Sequence, residues 1–219
     1  MRQAAFALFD FDKTLSRGDS VVPFLLYCVR RGAAPAGQLV KALRGYARQR
    51  VRPEEIALAK AWTFSFLQGR TRAEVDDLAR DFWRDVLMKR VFQSGAAEAA
   101  RLREAGYHVL VVSASASAYM NVLPEFLPVD GVLSTVCGVD AGDRYNGRVG
   151  ENCKGVQKPL RIAEYLAANH LTLDYGASRA YGDSASDAPM LSLVANPVLV
   201  NPRPALRKAF PGAQVVQWR

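Results

Sequence analysis

Ala4-Ala5-Phe6-Ala7-Leu8-Phe9-Asp10-Phe11-Asp12-Lys13-Thr14-Leu15 carries no charge until Asp10, then sets two carboxylates on either side of one aromatic ring. A short apolar run of this kind predicts a strand buried on both faces. Asp10 and Asp12 then fall at the carboxyl end of that strand, where open α/β sheets put their ligand sites. Two aspartates among bulky apolar neighbours are costly unless something cationic joins them. Taken alone, the stretch also fits a strand followed by an Asp-rich turn, so the remainder of the chain has to decide.

Beyond Leu15 comes a polar turn, Ser16 to Ser20, with a helix start at Asp19 or Ser20. From Val21 to about Arg90 the spacing is helical: Phe24, Leu25 and Val29 form one stripe, Leu39, Val40, Leu43 and Tyr46 another, and Ile56, Leu58, Trp62 and Phe66 a third. Gly32, Pro35, Pro53 and Gly69 punctuate these runs. Thr71-Arg72-Ala73-Glu74 is a capping-box pattern that opens a last helix, with Val75, Leu78, Phe82 and Val86 on one face. The aromatics Phe64, Phe66, Phe82 and Trp83 read as the core of this helical module.

The texture changes at Ser94. Gly95 to Ala105 predicts a helix ended by Gly106, and Tyr107 to Ser113 a second buried strand finishing on a hydroxyl. A helix is expected from about Ser115, then a strand over Gly131 to Val136 and an Asn-Gly hairpin turn at Asn146-Gly147. Pro159 suits the first turn of a helix whose inward face is expected to be Leu160, Ala163, Leu166 and Ala167. Ser178 to Tyr181 and Pro197 to Val200 read as further strands, and Val215 to Trp218 as an edge strand. Alternating strand and helix after one helical insert predicts an α/β fold, a Rossmann-like parallel sheet with an inserted all-helical module. The expected division is a core of 1–16 and 92–219 with an insert of 17–91.

A chain of 219 residues, half of them apolar and 23% charged, has the balance of a soluble globular enzyme. Cys28, Cys137 and Cys153 share no metal-ligand spacing and are too few for a disulfide framework. The first apolar run ends in Asp-Phe-Asp rather than a cleavage site, and the apolar stretch from Val21 to Val29 is too short to span a bilayer. A cytoplasmic location is the expectation. The net charge of +8 is unevenly placed: Arg30, Arg31, Lys41, Arg44, Arg48, Arg50 and Arg52 lie between Val21 and Pro53 without one acidic residue. Such a block fits a solvated helical face, and equally an attraction to anionic substrates, nucleic acid or an anionic membrane.

In a parallel sheet the strand ends converge on one edge. Here that edge would collect Asp10 and Asp12, Ser113, Lys158 at a helix start, and Asp183 with Asp187 from Gly182-Asp183-Ser184-Ala185-Ser186-Asp187. Each pair of carboxylates repels by roughly 4 kcal/mol at about 4 Å in an effective dielectric near 20. One lysine cannot offset four of them. A hard divalent cation with oxygen ligands does, and without His or thiolate ligands Mg²⁺ is the cation of choice. A metal, a lysine, a hydroxyl and helix N-termini together suit a phosphoryl group.

These four motifs, in this order, resemble those of the haloacid dehalogenase superfamily: Asp10-Phe11-Asp12-Lys13-Thr14, Ser113 after an apolar strand, Lys158, and the Gly182 to Asp187 run. The helical insert falls where the phosphoserine phosphatase-like branch carries its cap. The resemblance implies a phosphatase in which Asp10 is the nucleophile that becomes an aspartyl-phosphate. Asp12 would be the acid and then the base, and Thr14 would orient it. Ser113 would bond a phosphoryl oxygen, helped by a backbone N–H near Ala114 or Ser115, and Lys158 would neutralise charge. Mg²⁺ would be held by Asp10, the Asp12 carbonyl and Asp183, with Asp187 in support. Lys154 competes with Lys158 for the lysine role; the branch's C-x-G-x-x-K pattern favours Lys158.

On substrate, the resemblance sets Asp19 where phosphoserine phosphatases read an amino group, although a helix N-cap explains Asp19 as well. No cap arginine for a substrate carboxylate is found, since the aligned stretch reads Ile56-Ala57-Leu58-Ala59-Lys60. The basic, apolar insert also resembles that of phosphatidylglycerophosphate phosphatases. A phosphoserine-like molecule and a lipid head-group phosphate are therefore both expected substrates, with peripheral membrane contact accompanying the second and no specific nucleic-acid partner. Dehalogenation is disfavoured because Asp12 supplies a phosphatase's acid and base. The rival readings are a nucleic-acid or membrane-surface binding protein with a vestigial site, and a phosphotransferase that passes the phosphoryl group to an alcohol.

Overall fold

The structure, a computed structural model, describes residues 1–51 and 56–219, and all their side chains except those of residues 46, 49–51, 56 and 57. The expectations for Tyr46, Ile56, the Arg50 side chain, Arg52 and Pro53 lie outside the described residues. In chain order the strands are β1 (Arg2–Ala4), β2 (Phe6–Phe9), β3 (His108–Ala116), β4 (Gly131–Thr135), β5 (Cys137–Val139), β6 (Tyr145–Val149), β7 (Leu171–Leu173), β8 (Arg179–Gly182), β9 (Asn196–Val200) and β10 (Gln214–Val216). The helices are α1 (Val21–Arg30), α2 (Gly37–Val51), α3 (Ile56–Phe64), α4 (Arg72–Phe82), α5 (Gln93–Glu104), α6 (Ser117–Met120), α7 (Gln157–Ala168), α8 (Ala188–Leu191) and α9 (Pro204–Ala209).

All four residues of β2 are fully buried, as the apolar run requires. It lies inside a parallel sheet of order β10-β9-β8-β2-β3-β4. From β2 the chain builds outward through β3 and β4, then returns to the other side of β2 with β8, β9 and β10. The reversal falls between β2 and β8, so the crevice at their carboxyl ends is the topological switch point. Asp10 follows β2 and Asp183 follows β8, one on each lip of that crevice.

Helices α1 to α4 stand between β2 and β3, as the helical spacing predicts. Phe24 packs on Phe64, Phe66, Phe82 and Tyr119, and Trp83 on Phe11 and Phe126, so the aromatics do form the core. The Thr71–Glu74 capping box is formed at the start of α4. Some faces were misjudged. On α2, Val40 and Leu43 are exposed, and Gln38 turns inward to donate to the carbonyls of Trp62 and Thr63. On α3, Leu58 is exposed while Ala59 and Thr63 are buried. Periodicity finds a stripe but does not say whether anything covers it.

Three further expectations are corrected. Strand β3 runs past Ser113 to Ala116, and the helix begins at Ser117 rather than Ser115. On α7 the buried residues are Lys158 and Ile162, whereas Leu160, Ala163 and Ala167 face solvent. Asn146-Gly147 is not the hairpin turn but part of strand β6; the β5–β6 turn is made by Asp140 to Arg144. The Asp140 side chain accepts the N–H groups of Gly142 and Arg144 and supplies the turn chemistry that an Asn-Gly pair otherwise provides.

This hairpin is sewn to the helical insert. Gly69 N–H donates to the Tyr145 carbonyl at 2.8 Å, Tyr145 N–H to the Arg70 carbonyl at 2.9 Å, and Arg72 N–H to the Asp143 carbonyl at 2.9 Å. No helix among the described residues is long and apolar enough to cross a membrane.

Candidate active site

The turn after β2 is tightly wound. The N–H groups of Thr14, Leu15 and Ser16 all point to the Phe11 carbonyl, and Lys13 takes a left-handed φ of 68° between Asp12 and Thr14. A non-glycine residue in that region is strained and is held there by its surroundings. The turn folds Thr14 back so that its hydroxyl donates to Asp10 Oδ2 at 3.0 Å. Thr14 therefore orients Asp10, not Asp12 as the motif had suggested.

The other oxygen of Asp10 meets Lys158. The ammonium, 1% exposed, donates to Asp10 Oδ1 and Asp187 Oδ1, each at 2.7 Å. Lys154 is exposed and makes no such contact, so of the two lysines Lys158 is the one at the site. Burial is the largest influence on Asp10 and, with repulsion from Asp187, outweighs the attraction of Lys158; its pKa rises from 3.8 to about 7. Burial opposes the charge on Lys158, but the two carboxylates overcome it and keep the lysine protonated.

Asp187 is set by the turn after β8. Its second oxygen accepts the Ser184 N–H at 3.1 Å and the Ser184 hydroxyl at 3.0 Å. A Cβ on Gly182 would lie 2.6 Å from the Cβ of Asp187, so only glycine allows that carboxylate to fold over the strand end. Asp183 is buried beside it, with Arg203 Nε 3.5 Å from Oδ2. Carboxylate oxygens of Asp10, Asp183 and Asp187 all lie within 4.8 Å of one another. Three buried carboxylates offering only oxygen, against one buried ammonium and the more exposed Arg203, fit a hard divalent cation. The Asp12 carboxylate stands apart from this cluster.

Asp12 belongs instead to a hydroxyl relay. Ser115 Oγ donates to Asp12 Oδ2 at 2.6 Å, Ser20 Oγ is 2.8 Å from Ser115 Oγ, and Tyr119 Oη is 2.9 Å from Ser20 Oγ. Asp12 Oδ1 is buried with no partner among the described residues. Burial raises the Asp12 pKa, and the Ser115 and Ser20 hydroxyls pull it back. The resemblance implies a helping backbone N–H near Ala114 or Ser115. The Ser115 N–H is bonded to Ser113 Oγ at 3.0 Å, and the Ser115 side chain bonds Asp12. Ser113 itself is buried at the same edge, one strand over from Asp10.

Asp19 is neither a side-chain N-cap nor a buried ligand. Ser20 occupies the cap position of α1, and Asp19 pairs with Lys13 at 2.6 Å with most of its side chain exposed. Asn201 bonds the backbone of Trp218 and so anchors the tail. Besides Ser20 and Tyr119 of the hydroxyl relay, Lys60, Thr135 and Asn152 escaped the sequence reading. Lys60 reaches from α3 to the carbonyl of Ala114, to Thr135 Oγ1 at 3.1 Å and to Asn152 Oδ1 at 2.5 Å. Nothing in the spacing announces this, because the contact joins residues 54, 75 and 92 positions apart.

A buried carboxylate between lysine and threonine, a second carboxylate in a hydroxyl relay and three carboxylates that fit a cation, on a doubly wound sheet, make a site suited to a phosphatase. The chain belongs to the haloacid dehalogenase-like hydrolase family, whose model matches residues 7–192. It is similar to a phosphoserine phosphatase of Mycobacterium tuberculosis, 27% identical over 93% of this chain and 67% of that protein. It is also similar to a histidinol-phosphatase of Neisseria meningitidis, 26% identical over 92% of each. A solved structure of a protein of unknown function from Bordetella pertussis superposes with a TM-score of 0.83 at 25% identity, covering 99% of this chain and 98% of that one.

Proposed function

We propose that the protein hydrolyses a phosphomonoester through an aspartyl-phosphate on Asp10, with residues 17–91 as a cap over a core of 1–16 and 92–219. The observation that carries this reading is the contrast between two carboxylates two positions apart. Asp10 has both oxygens occupied by donors, Lys158 and Thr14, which fix it for in-line attack. Asp12 has one oxygen held by Ser115 and the other free of any described partner, with burial favouring its protonated form. That is the state a general acid needs before the ester bond breaks.

In the first step a carboxylate oxygen of Asp10 bonds to phosphorus, the bond from phosphorus to the ester oxygen breaks, and Asp12 gives its proton to the departing alcohol. In the second, Asp12 takes a proton from water as that water attacks phosphorus, and inorganic phosphate leaves with Asp10 restored. Lys158 offsets charge on Asp10 and on the phosphoryl oxygens, and Ser113 bonds one of those oxygens. Asp10, Asp183 and Asp187, with the Asp12 backbone carbonyl, would hold Mg²⁺, which when bound supplies charge stabilisation to the phosphoryl group.

For substrate we favour a small phosphomonoester of the phosphoserine kind, in keeping with the named activities of the two relatives; a lipid head-group phosphate such as phosphatidylglycerophosphate is the second arm of the test. Purified protein is assayed with Mg²⁺ against phosphoserine, histidinol phosphate, sugar phosphates and phosphatidylglycerophosphate in vesicles, beside Asp10→Asn and a chelator. Turnover abolished by both supports the reading. Turnover that survives Asp10→Asn overturns the aspartyl-phosphate route, and no turnover from any ester overturns the reading in favour of a binding protein with a vestigial site. Product carried on an added alcohol instead of free phosphate would mark a phosphotransferase.

A further inference from the structure

Lys60 is the feature of this molecule that the proposed chemistry does not use. It projects from α3, and its ammonium, with three N–H donors, meets three acceptors: the Ala114 carbonyl, Thr135 Oγ1 and Asn152 Oδ1. All three are neutral, and no carboxylate lies within ion-pair reach of Lys60 among the described residues. A buried ammonium bonded only to dipoles is expensive, and burial lowers the Lys60 pKa from 10.5 to about 8.

The three acceptors are not random core positions. Thr135 ends β4, with Val136 between it and the β5–β6 hairpin, and Asn152 lies shortly after β6, so Lys60 bonds the two segments that flank the hairpin already sewn to the helical insert. Thr135 Oγ1 also donates to the Ala114 carbonyl at 2.8 Å and accepts the Cys153 N–H at 3.2 Å. Ala114 stands between Ser113 and Ser115, and Ser115 holds Asp12. One cation on the helical insert thus joins the root of the hairpin to the strand end that carries two of the site's hydroxyls.

We propose that Lys60 is a positioning residue: its ammonium locks the cap and the hairpin root onto the Ala114 carbonyl and so fixes Ser113 and Ser115 for the reaction. The proposal rests on the phosphatase reading for its kinetic consequence but not for its structural one. Saturated by three core acceptors, Lys60 acts as a tie and not as a waiting substrate ligand. The charged or titratable groups that face it are Asp12, Cys137, Cys153 and Lys154; Asp12 and the two cysteines favour its charge and Lys154 opposes it. A neutral amine keeps only two donors for three acceptors, so the tie loosens as pH rises through about 8.

The test uses the full chain as Lys60→Met and Lys60→Arg. Amide exchange is followed over α3, the hairpin and residues 113–117 without substrate, and kcat and KM against pH with the preferred ester. In Lys60→Met, exchange in all three segments is expected to speed up by at least about tenfold, while the strands on the far side of the sheet, β9 and β10, are unchanged. The kcat falls by a similar factor with KM moved much less. The parent's rate declines above about pH 8, the decline is absent from Lys60→Met, and in Lys60→Arg, which keeps a charge, it moves to higher pH. Unchanged exchange in Lys60→Met overturns the proposal, including when KM rises only for esters bearing a second anionic group, which would make Lys60 a substrate ligand. If the parent shows no turnover, the phosphatase reading fails and the exchange data still decide the tie.

Discussion

The Ser115 hydroxyl donates to Asp12 Oδ2 at 2.6 Å across 103 residues of sequence, making a serine two positions past Ser113 the partner of the carboxyl group proposed as general acid. The consequence is testable. A hydroxyl bonded to a carboxylate favours the ionised form, so removing it raises the Asp12 pKa further above its ordinary value. Ser115→Ala should lower kcat by about 10- to 100-fold, leave KM nearly unchanged, and move every limb of the rate profile that reports Asp12 toward higher pH. Rates measured across the pH range, with Ser113→Ala as comparison, check this; a profile that stays in place removes Ser115 from the mechanism.

Gly182 is required by the carboxylate next to it and not by its own backbone angles. A methyl there would sit 2.6 Å from Asp187 Cβ and 3.0 Å from its carboxyl carbon. Overpacking of this kind costs about 1–3 kcal/mol, and relief by moving Asp187 breaks its bond to Lys158. Gly182→Ala should therefore lower the unfolding temperature by several degrees and weaken divalent-cation binding together, as thermal melts with and without Mg²⁺ would record.

What the sequence disclosed and what it concealed divide along a physical line. The sheet was legible chiefly from β2 and β3, whose apolar runs meet a charge or a hydroxyl at Asp10 and Ser113, and those two, with Asp183 after β8, line the candidate site. Lys158 was chosen over Lys154 by the C-x-G-x-x-K pattern of the resembling branch, and its contacts with Asp10 and Asp187 agree with that choice. Thr14 was assigned to the wrong aspartate because the left-handed Lys13 folds it back on Asp10, a reversal that side-chain types do not encode. Lys60 was invisible for another reason: its partners come from three separate segments, and only the packed fold brings them within reach of one ammonium. Val40 and Leu43 show the opposite failure, a helical stripe with nothing laid over it.

Lys158 and Lys154 are four residues apart and should separate completely. Lys158 bridges two buried carboxylates, and Lys158→Met would leave both without their cation. The loss in kcat should reach about 10²- to 10³-fold, and the metal-free protein should lose about 3 kcal/mol or more where Asp10 is ionised. Lys154→Met, on an exposed side chain, should leave rate and stability within about 0.5 kcal/mol of the parent. Equal effects of the two substitutions would contradict the geometry.

Cation binding and proton binding should compete at Asp10. Its folded pKa, about 7, stands above the ordinary 3.8 because burial and Asp187 outweigh Lys158. A carboxyl raised in the fold stabilises the protein below its unfolded pKa, and that contribution fades as pH climbs from about 4 to about 7. Above that window the metal-free site must hold Asp10 ionised close to Asp187 and Asp183, which is the state a divalent cation binds. The rise in unfolding temperature on adding Mg²⁺ should therefore be small near pH 5.5 and reach several degrees near pH 8, with protons released on binding around neutral pH. Asp10→Asn, which has no proton to give up there, should reduce the pH dependence of the Mg²⁺ effect, leaving the part due to Asp183, whose pKa burial also raises. Calorimetric titrations in buffers of different ionisation enthalpy measure the proton release directly, and a Mg²⁺ effect equal at both pH values would remove Asp10 from the cation site.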